Sequence, residues 1–188
     1  VGRYERYGLP TPDHDFGAAH PTVSTDIFSR LSSGDVAVKP NIRELCGEEV
    51  TFVDGTVERV DAIVWCTGYH IRFPFLDEAV MSVDENRISL FWNVFPTDRA
   101  NLAFIGLVQP IGAIMPIAEL QAKVVVDRIA GRYQLPPAKV QAAAIATALS
   151  TMHSRYLPSK RHTIQVDFED YMEGLAAEWR AGRKRRPG

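Results

Sequence analysis

Cysteine is scarce in this chain. Cys46 and Cys66 are the only two in 188 residues, too few for a disulfide scaffold at this size. Charge of one sign is missing as well: 21 Lys and Arg face 23 Asp and Glu for a net charge of -2, so nothing in the balance calls for a polyanionic partner. No apolar run approaches the roughly 20 residues that a membrane span needs. The opening stretch Val1 to Gly8 is polar and aromatic, which gives no sign of a signal peptide and sets the expectation of a cytoplasmic protein. It also lacks an initiating methionine, a first hint of a piece of something longer. Thirteen glycines are present, yet none fall in a Gly-x-Gly-x-x-Gly spacing. What remains is 46% hydrophobic and 23% charged, the balance of an ordinary globular domain in a chain long enough for one well-buried core.

Local patterning points to an α/β protein. Residues 1–34 are dense in Gly, Pro, Asp and Ser and read as a long ordered loop. Val36-Ala37-Val38 reads as a short strand broken by Lys39-Pro40-Asn41. Glu49–Val60 reads as a β-hairpin, its Asp54-Gly55 pair suited to the positive φ angles of a type I′ turn. Asp61–Cys66 is apolar almost without alternation, as expected of a strand covered on both faces, and Leu102–Val108 reads likewise. Between them Asp84–Phe91 looks like a further hairpin. Ile114, Ile117, Ala118, Gln121, Val124, Val125 and Arg128 recur at helical spacing, Glu119 and Lys123 can pair at i,i+4, and Gly131 is placed to cap. Pro136-Pro137 opens an alanine-rich helix to about His153. From Asp167 a last amphipathic helix carries Phe168, Tyr171, Met172, Leu175 and Trp179. There are no internal repeats.

Few constellations carry chemistry. A nucleophilic Cys66 would need a base and an orienting third group; His70 lies four residues on, across a turn, and no third group accompanies it. A small buried hydrophobe at a strand end is the plainer reading. Asp13-His14-Asp15 with His20 offers metal-ligand chemistry, but adjacent residues of an extended loop point apart, so a turn capped by its own side chains is expected and no metal site. Arg180–Arg186 holds five basic residues in seven. Without interleaved aromatics it reads as a solvated tail rather than a nucleic-acid site. Phe104–Lys123 differs from these: an apolar segment runs through a glycine-flanked turn into a helix. There the backbone N–H groups and the helix dipole can meet a phosphate or an electron-rich ligand edge. Gly106 and Gly112 leave room for a flat ligand, and Gln109 offers an amide donor and acceptor.

Taken together, "KPNI" (Lys39–Ile42), "FVDGT" (Phe52–Thr56), "DAIVWCTGY" (Asp61–Tyr69), "FPFLD" (Phe73–Asp77), "NLAFIGLVQPIGAIMPIAELQAK" (Asn101–Lys123) and "HTIQVDFEDYM" (His162–Met172) resemble the C-terminal part of the flavin-containing monooxygenases, class B flavoprotein monooxygenases related to Baeyer–Villiger and N-hydroxylating enzymes. The resemblance implies a Rossmann-like fold of two dinucleotide-binding domains for FAD and NADPH. Residues 1–66 would end the NADPH domain, residues 67–166 would form the linker and the C-terminal share of the FAD domain, and residues 167–188 a terminal helix with a basic tail. It also implies cofactor-binding roles for Thr67, Gly68 and Tyr69 near the NADPH, and for Gly106, Gln109 and Gly112 near the flavin, with no catalytic side chain of the chain's own. The implied activity is transfer of one oxygen atom from O₂ to a soft nitrogen or sulfur nucleophile by way of a C4a-(hydro)peroxyflavin, or to a ketone as in the Baeyer–Villiger relatives.

The departures are equally specific. Both glycine-rich nucleotide fingerprints and the family's Phe-x-Gly-x-x-x-His motif are missing, so the N-terminal FAD-binding half is expected to be absent. Those loops meet the pyrophosphate charge with backbone N–H groups. Alone, the chain is expected to bind FAD weakly and to be inactive, needing an upstream segment in cis or in trans. The rival expectation is a non-catalytic remnant that binds a partner chain through an uncovered half-domain.

Overall fold

The computed structural model describes residues 3–157, 159 and 162–185. The chain forms two units and passes between them three times: the first unit takes the residues through Asp15 and Thr22–Gly68, the second Phe16–Pro21 and the residues from Tyr69 onward. Helices and strands are both present, as expected of an α/β protein.

In the first unit, one turn of 3₁₀ helix at Tyr4–Tyr7 and a helix α1 at Ile27–Ser33 occupy what patterning alone reads as loop. Both are short and close on glycines in the left-handed region, Gly8 at φ 72° and Gly34 at φ 79°, which is how a brief helical turn ends. Rings of Tyr4 and Tyr7 pack on Phe28 with centroids 6.2 and 5.0 Å away. The sheet follows in the order β1 (Ile42–Cys46), β2 (Glu49–Phe52), β3 (Val57–Arg59), antiparallel throughout. Strand β1, rather than Val36–Val38, supplies the first strand; residues 36–38 stay irregular. The β2–β3 hairpin forms where expected, but its turn differs. Only Gly55 has positive φ (86°), the Gly55 N–H donates to the Phe52 carbonyl, and the Phe52 N–H donates to that of Thr56. Asp54 instead accepts from the Thr56 N–H and hydroxyl, and this side-chain capping competes with the left-handed conformation a type I′ turn demands. Val50 and Phe52 point inward from β2.

The stretch Asp61–Cys66 forms no strand and is exposed throughout, with Val64 84% and Trp65 61% accessible. This corrects the expectation of a buried strand and of a buried Cys66, which is exposed. Apolar sequence becomes a strand only when a neighbouring strand completes its ladder, and among the described residues none pairs with it.

The second unit is built on helices α2 (Ile114–Ile129), α3 (Ala138–Arg155) and α4 (Phe168–Lys184), close to the expected spans, with α2 packed on α4. Helix α2 ends in a Schellman motif: Gly131 sits at φ 70°, its N–H meets the Arg128 carbonyl, and the Arg132 N–H meets that of Asp127. The core gathers Phe91, Val94, Phe95, Val108, Ile117, Val124, Tyr133, Tyr171 and Leu175. Leu102–Val108 is not a strand. Ordered backbone pairing begins only at β4 (Gln109–Pro110), parallel to β5 (Gln165–Val166). The hairpin expected at Asp84–Phe91 is reduced to a single antiparallel bridge, Asp84–Arg87, closed by Glu85 and Asn86 (φ 48° and 63°), and a second bridge, Phe91–Phe95, encloses Trp92 and Asn93 (φ 55° each); both turns have the paired positive φ that Asp54-Gly55 does not. Arg186–Gly188, the end of the basic tail, lie outside the described residues. No described helix is long and apolar enough to cross a membrane.

Candidate functional site

The glycine-flanked segment of the second unit is held as a pegged strap. The Phe104 N–H donates to the Val94 carbonyl at 2.8 Å and the Gln109 N–H to that of Ile164 at 2.7 Å. Between these pegs the Gly106 N–H donates to Gln121 Oε1 at 2.7 Å, and Asn93 Nδ2 donates to the Leu107 carbonyl at 3.4 Å. Val108 is buried and locks the strap to the core, while Ile105 stays 52% exposed. A segment that lacks a ladder partner thus finds backbone satisfaction one group at a time.

At two positions the strap needs glycine. Gly106 has φ 80° with nothing within 4 Å of where a Cβ would stand, and Gly112 has φ 138° with the Phe168 side chain 3.8 Å from that point. Gly106 therefore presents bare, open backbone, and Gly112 turns the chain into α2. That helix starts after Ala113, which makes no side-chain cap bond; Ile114 and Met115 carry the free first-turn donors, Pro116 having no N–H, and this end of the helix is exposed. Ile114 and Met115 on that turn are exposed, so donors stand beside apolar surface. Open glycine backbone, apolar side chains and a bare helix start fit a flat, largely apolar ring system with an electron-rich edge.

Of the residues singled out from sequence, Gly106, Gln109 and Gly112 lie together on this strap. Gln109 is half-buried and fixed through its backbone in β4. Thr67 and Gly68 (φ 95°) end the first unit and are exposed. Tyr69 opens the second unit with its ring 95% exposed. Its carbonyl accepts from Asn86 Nδ2 at 3.1 Å, and the Ile71 N–H donates to Asn86 Oδ1 at 2.7 Å. One amide side chain thereby fixes the backbone just after Gly68. Past Tyr69, His70, Arg72, Phe73, Leu76, Met81 and Val83 line a cavity of about 630 Å³, within the range of small-ligand sites. Asp13 and His14 hydrogen-bond each other through their side chains at 3.0 Å.

Sequence reasoning missed the polar residues behind the strap. Gln121 is fully buried between Ile117 and Val124 on α2, and its Nε2 donates to the Tyr171 hydroxyl at 2.7 Å. That hydroxyl in turn donates to the Trp92 carbonyl. Burial pushes the Tyr171 phenol well above its ordinary pKa. The available signal was a glutamine in the apolar phase of an amphipathic helix.

The flavin-binding monooxygenase-like family model matches residues 3–184. Human flavin-containing monooxygenase 5 is 43% identical over 176 residues, which cover 92% of this chain and 33% of that protein. The dimethylaniline monooxygenase [N-oxide-forming] 2 of Pan troglodytes is 36% identical over 178 residues, 93% of this chain and 33% of the relative. Among solved structures, the S-allyl-L-cysteine S-oxygenase of Allium sativum superposes with a TM-score of 0.58 at 34% identity, covering 70% of this chain and 31% of that one. The chain therefore spans about a third of the length of the curated relatives it matches. With a family model matched almost end to end and a relative more than two-fifths identical over nine-tenths of its length, the chain belongs to the flavin-binding monooxygenase-like family.

Proposed function

We propose that the chain is the C-terminal portion of an FAD- and NADPH-dependent monooxygenase that transfers one oxygen atom from O₂ to a nitrogen- or sulfur-containing substrate. The carrying observation is the pegged strap Phe104–Gly112 leading into the uncapped start of α2. The names of the relatives, one N-oxide-forming and one an S-oxygenase, support a soft nucleophile as substrate. In this reading the first unit ends the NADPH domain and the second carries the FAD-domain share, with Thr67-Gly68-Tyr69 connecting them; the unit boundary at Gly68 supports it.

When bound, FAD supplies the redox and oxygen chemistry. The residues of this chain position it and shield it. Gly106 lets a flat ring reach the backbone, Gly112 turns the chain against Phe168 into α2, the N–H groups of Ile114 and Met115 meet an electron-rich edge, and Ile105, Ile114 and Met115 exclude water. The strap itself carries no acid–base dyad and no nucleophile, which suits a role of positioning. The nucleotide phosphates need glycine-rich loops that this sequence does not contain, so the activity requires a segment bearing them, in cis or in trans. Expressed with such a segment, the protein is expected to be yellow and to oxidise NADPH; a colourless, inert product contradicts the proposal. A second reading, a partner-binding half-domain without catalysis, draws on the exposed apolar run Ile63-Val64-Trp65. It is overturned if the isolated chain sediments as a monomer and melts cooperatively.

A further inference from the structure

We infer that Gln121 is a positioning residue for the Gly106 strap, and that Tyr171 on α4 couples that helix to the strap through it; the flavin consequence rests on the function proposed above. A buried amide side chain is costly unless both of its ends are bonded. Gln121 stands between Ile117 and Val124, all three fully buried, where an aliphatic side chain would pack as well. Its two ends have separate tasks. Oε1 receives the Gly106 N–H from the strap and Nε2 donates to the Tyr171 hydroxyl, 50 residues away in sequence. The hydroxyl then donates to the Trp92 carbonyl. This single-direction chain of donors ends at two residues with positive φ, Gly106 at 80° and Trp92 at 55°, and a bulky residue in that region is held only by its surroundings.

The arrangement gives α4 control over the strap without touching its open face. Gln121 pulls the Gly106 amide inward, which leaves the other side of the glycine bare. Bonds in such a chain polarise one another, so loss of the Tyr171 hydroxyl weakens the grip on Gly106 although Gly106 itself keeps its partner.

Amide hydrogen exchange read by NMR on the full chain tests this. Gln121→Met is expected to speed exchange at Gly106 by about five- to tenfold, the effect of one net hydrogen bond, with the central α2 amides unchanged. Tyr171→Phe is expected to do so by a smaller factor, and Gln121→Glu, which keeps the acceptor for Gly106 but loses the amide donor to Tyr171, by a factor no larger than that of Gln121→Met. Equal exchange at Gly106 in wild type and Gln121→Met overturns the inference, as does a uniform rise across α2 and α4, the mark of a merely structural role. If Gln121→Met does not fold, Tyr171→Phe decides by the same comparison. In the same samples, FAD at millimolar concentration is expected to shift the amides of residues 105–115 in wild type and less in Gln121→Met. If the Gly106 pattern holds but FAD shifts none of them, positioning stands and the flavin reading fails. If FAD shifts them equally in all variants and Gly106 exchange is unaltered, positioning fails and the flavin reading stands.

Discussion

Asp127 shows how much one side chain carries in the second unit. Arg132 places Nε and an Nη on Oδ1 at 2.8 and 2.7 Å, Trp179 Nε1 donates to Oδ2 at 2.8 Å, and Arg183 stands 3.7 Å away. The Arg132 hydrogen bond foremost, then that of Trp179, holds the carboxyl below its ordinary 3.8, against burial, which opposes them. A carboxyl lowered on folding stabilises the fold fully above its unfolded pKa, and the contribution is lost as pH falls through the lowered folded value. Asp127→Asn should therefore melt lower than wild type at pH 7 and converge with it on acidification below about pH 4; parallel melting curves down to pH 2 would contradict this. Tyr133, Tyr156 and Tyr171 act at the other limb, each raised chiefly by burial. Unfolded phenols ionise near 10, so stability is intact below that pH and falls as pH rises above it. Tyrosinate absorbance and loss of helical ellipticity are expected to rise together in an alkaline titration. These residues are only partly legible in sequence. Gln121 announces itself as a polar residue in an apolar phase, whereas Asp127 looks like any charge near a helix end until Trp179 and Arg183 arrive from α4.

At the scale of elements, α4 is seated by what it lacks. A Cβ at Gly174 would lie 2.5 Å from the Trp92 ring, and one at Gly182 would lie 2.1 Å from the Tyr133 ring and 2.9 Å from the Gln134 carbonyl. Alanine normally improves a helix by about 1 kcal/mol over glycine. Here Tyr133 is 1% exposed and cannot move aside, so overpacking of about 1–3 kcal/mol wins. Gly182→Ala is expected to lower the thermal midpoint by several degrees, while breaking the exposed Glu119–Lys123 pair (2.7 Å) with Glu119→Gln should shift it by less than about one, as surface pairs contribute little. A Gly182→Ala variant that melts higher would refute the seating argument. All three long helices could be read from sequence because their 3.6-residue period and their Pro and Gly boundaries are local. Of the strands, only the β2–β3 hairpin could. Asp61–Cys66 and Leu102–Val108 have strand-like composition, but a ladder is decided by neighbours far away in sequence, and the left-handed turns at Glu85-Asn86 and Trp92-Asn93 carry no glycine to mark them.

For the whole molecule, the two units differ sharply in what they bury. Val50 and Phe52 are the only buried hydrophobics among the described residues of the first unit, whereas the second holds a continuous aromatic and aliphatic core. Local stability follows buried apolar contact, so native-state exchange should find β1–β3 opening well before α2 and α4; equal protection in both would contradict that. The family itself is legible from sequence words such as "FIGLVQPIG". The pegs behind them are not, because Val94, Gln121 and Ile164 reach the strap only through the folded core. In the proposed function, this strap and the start of α2 face the flavin. The most direct test is hydrogen exchange with and without FAD on the chain assembled with a segment carrying the nucleotide fingerprints. FAD-dependent slowing concentrated between Ile105 and Met115 is expected; FAD bound with that stretch unaltered would contradict this placement.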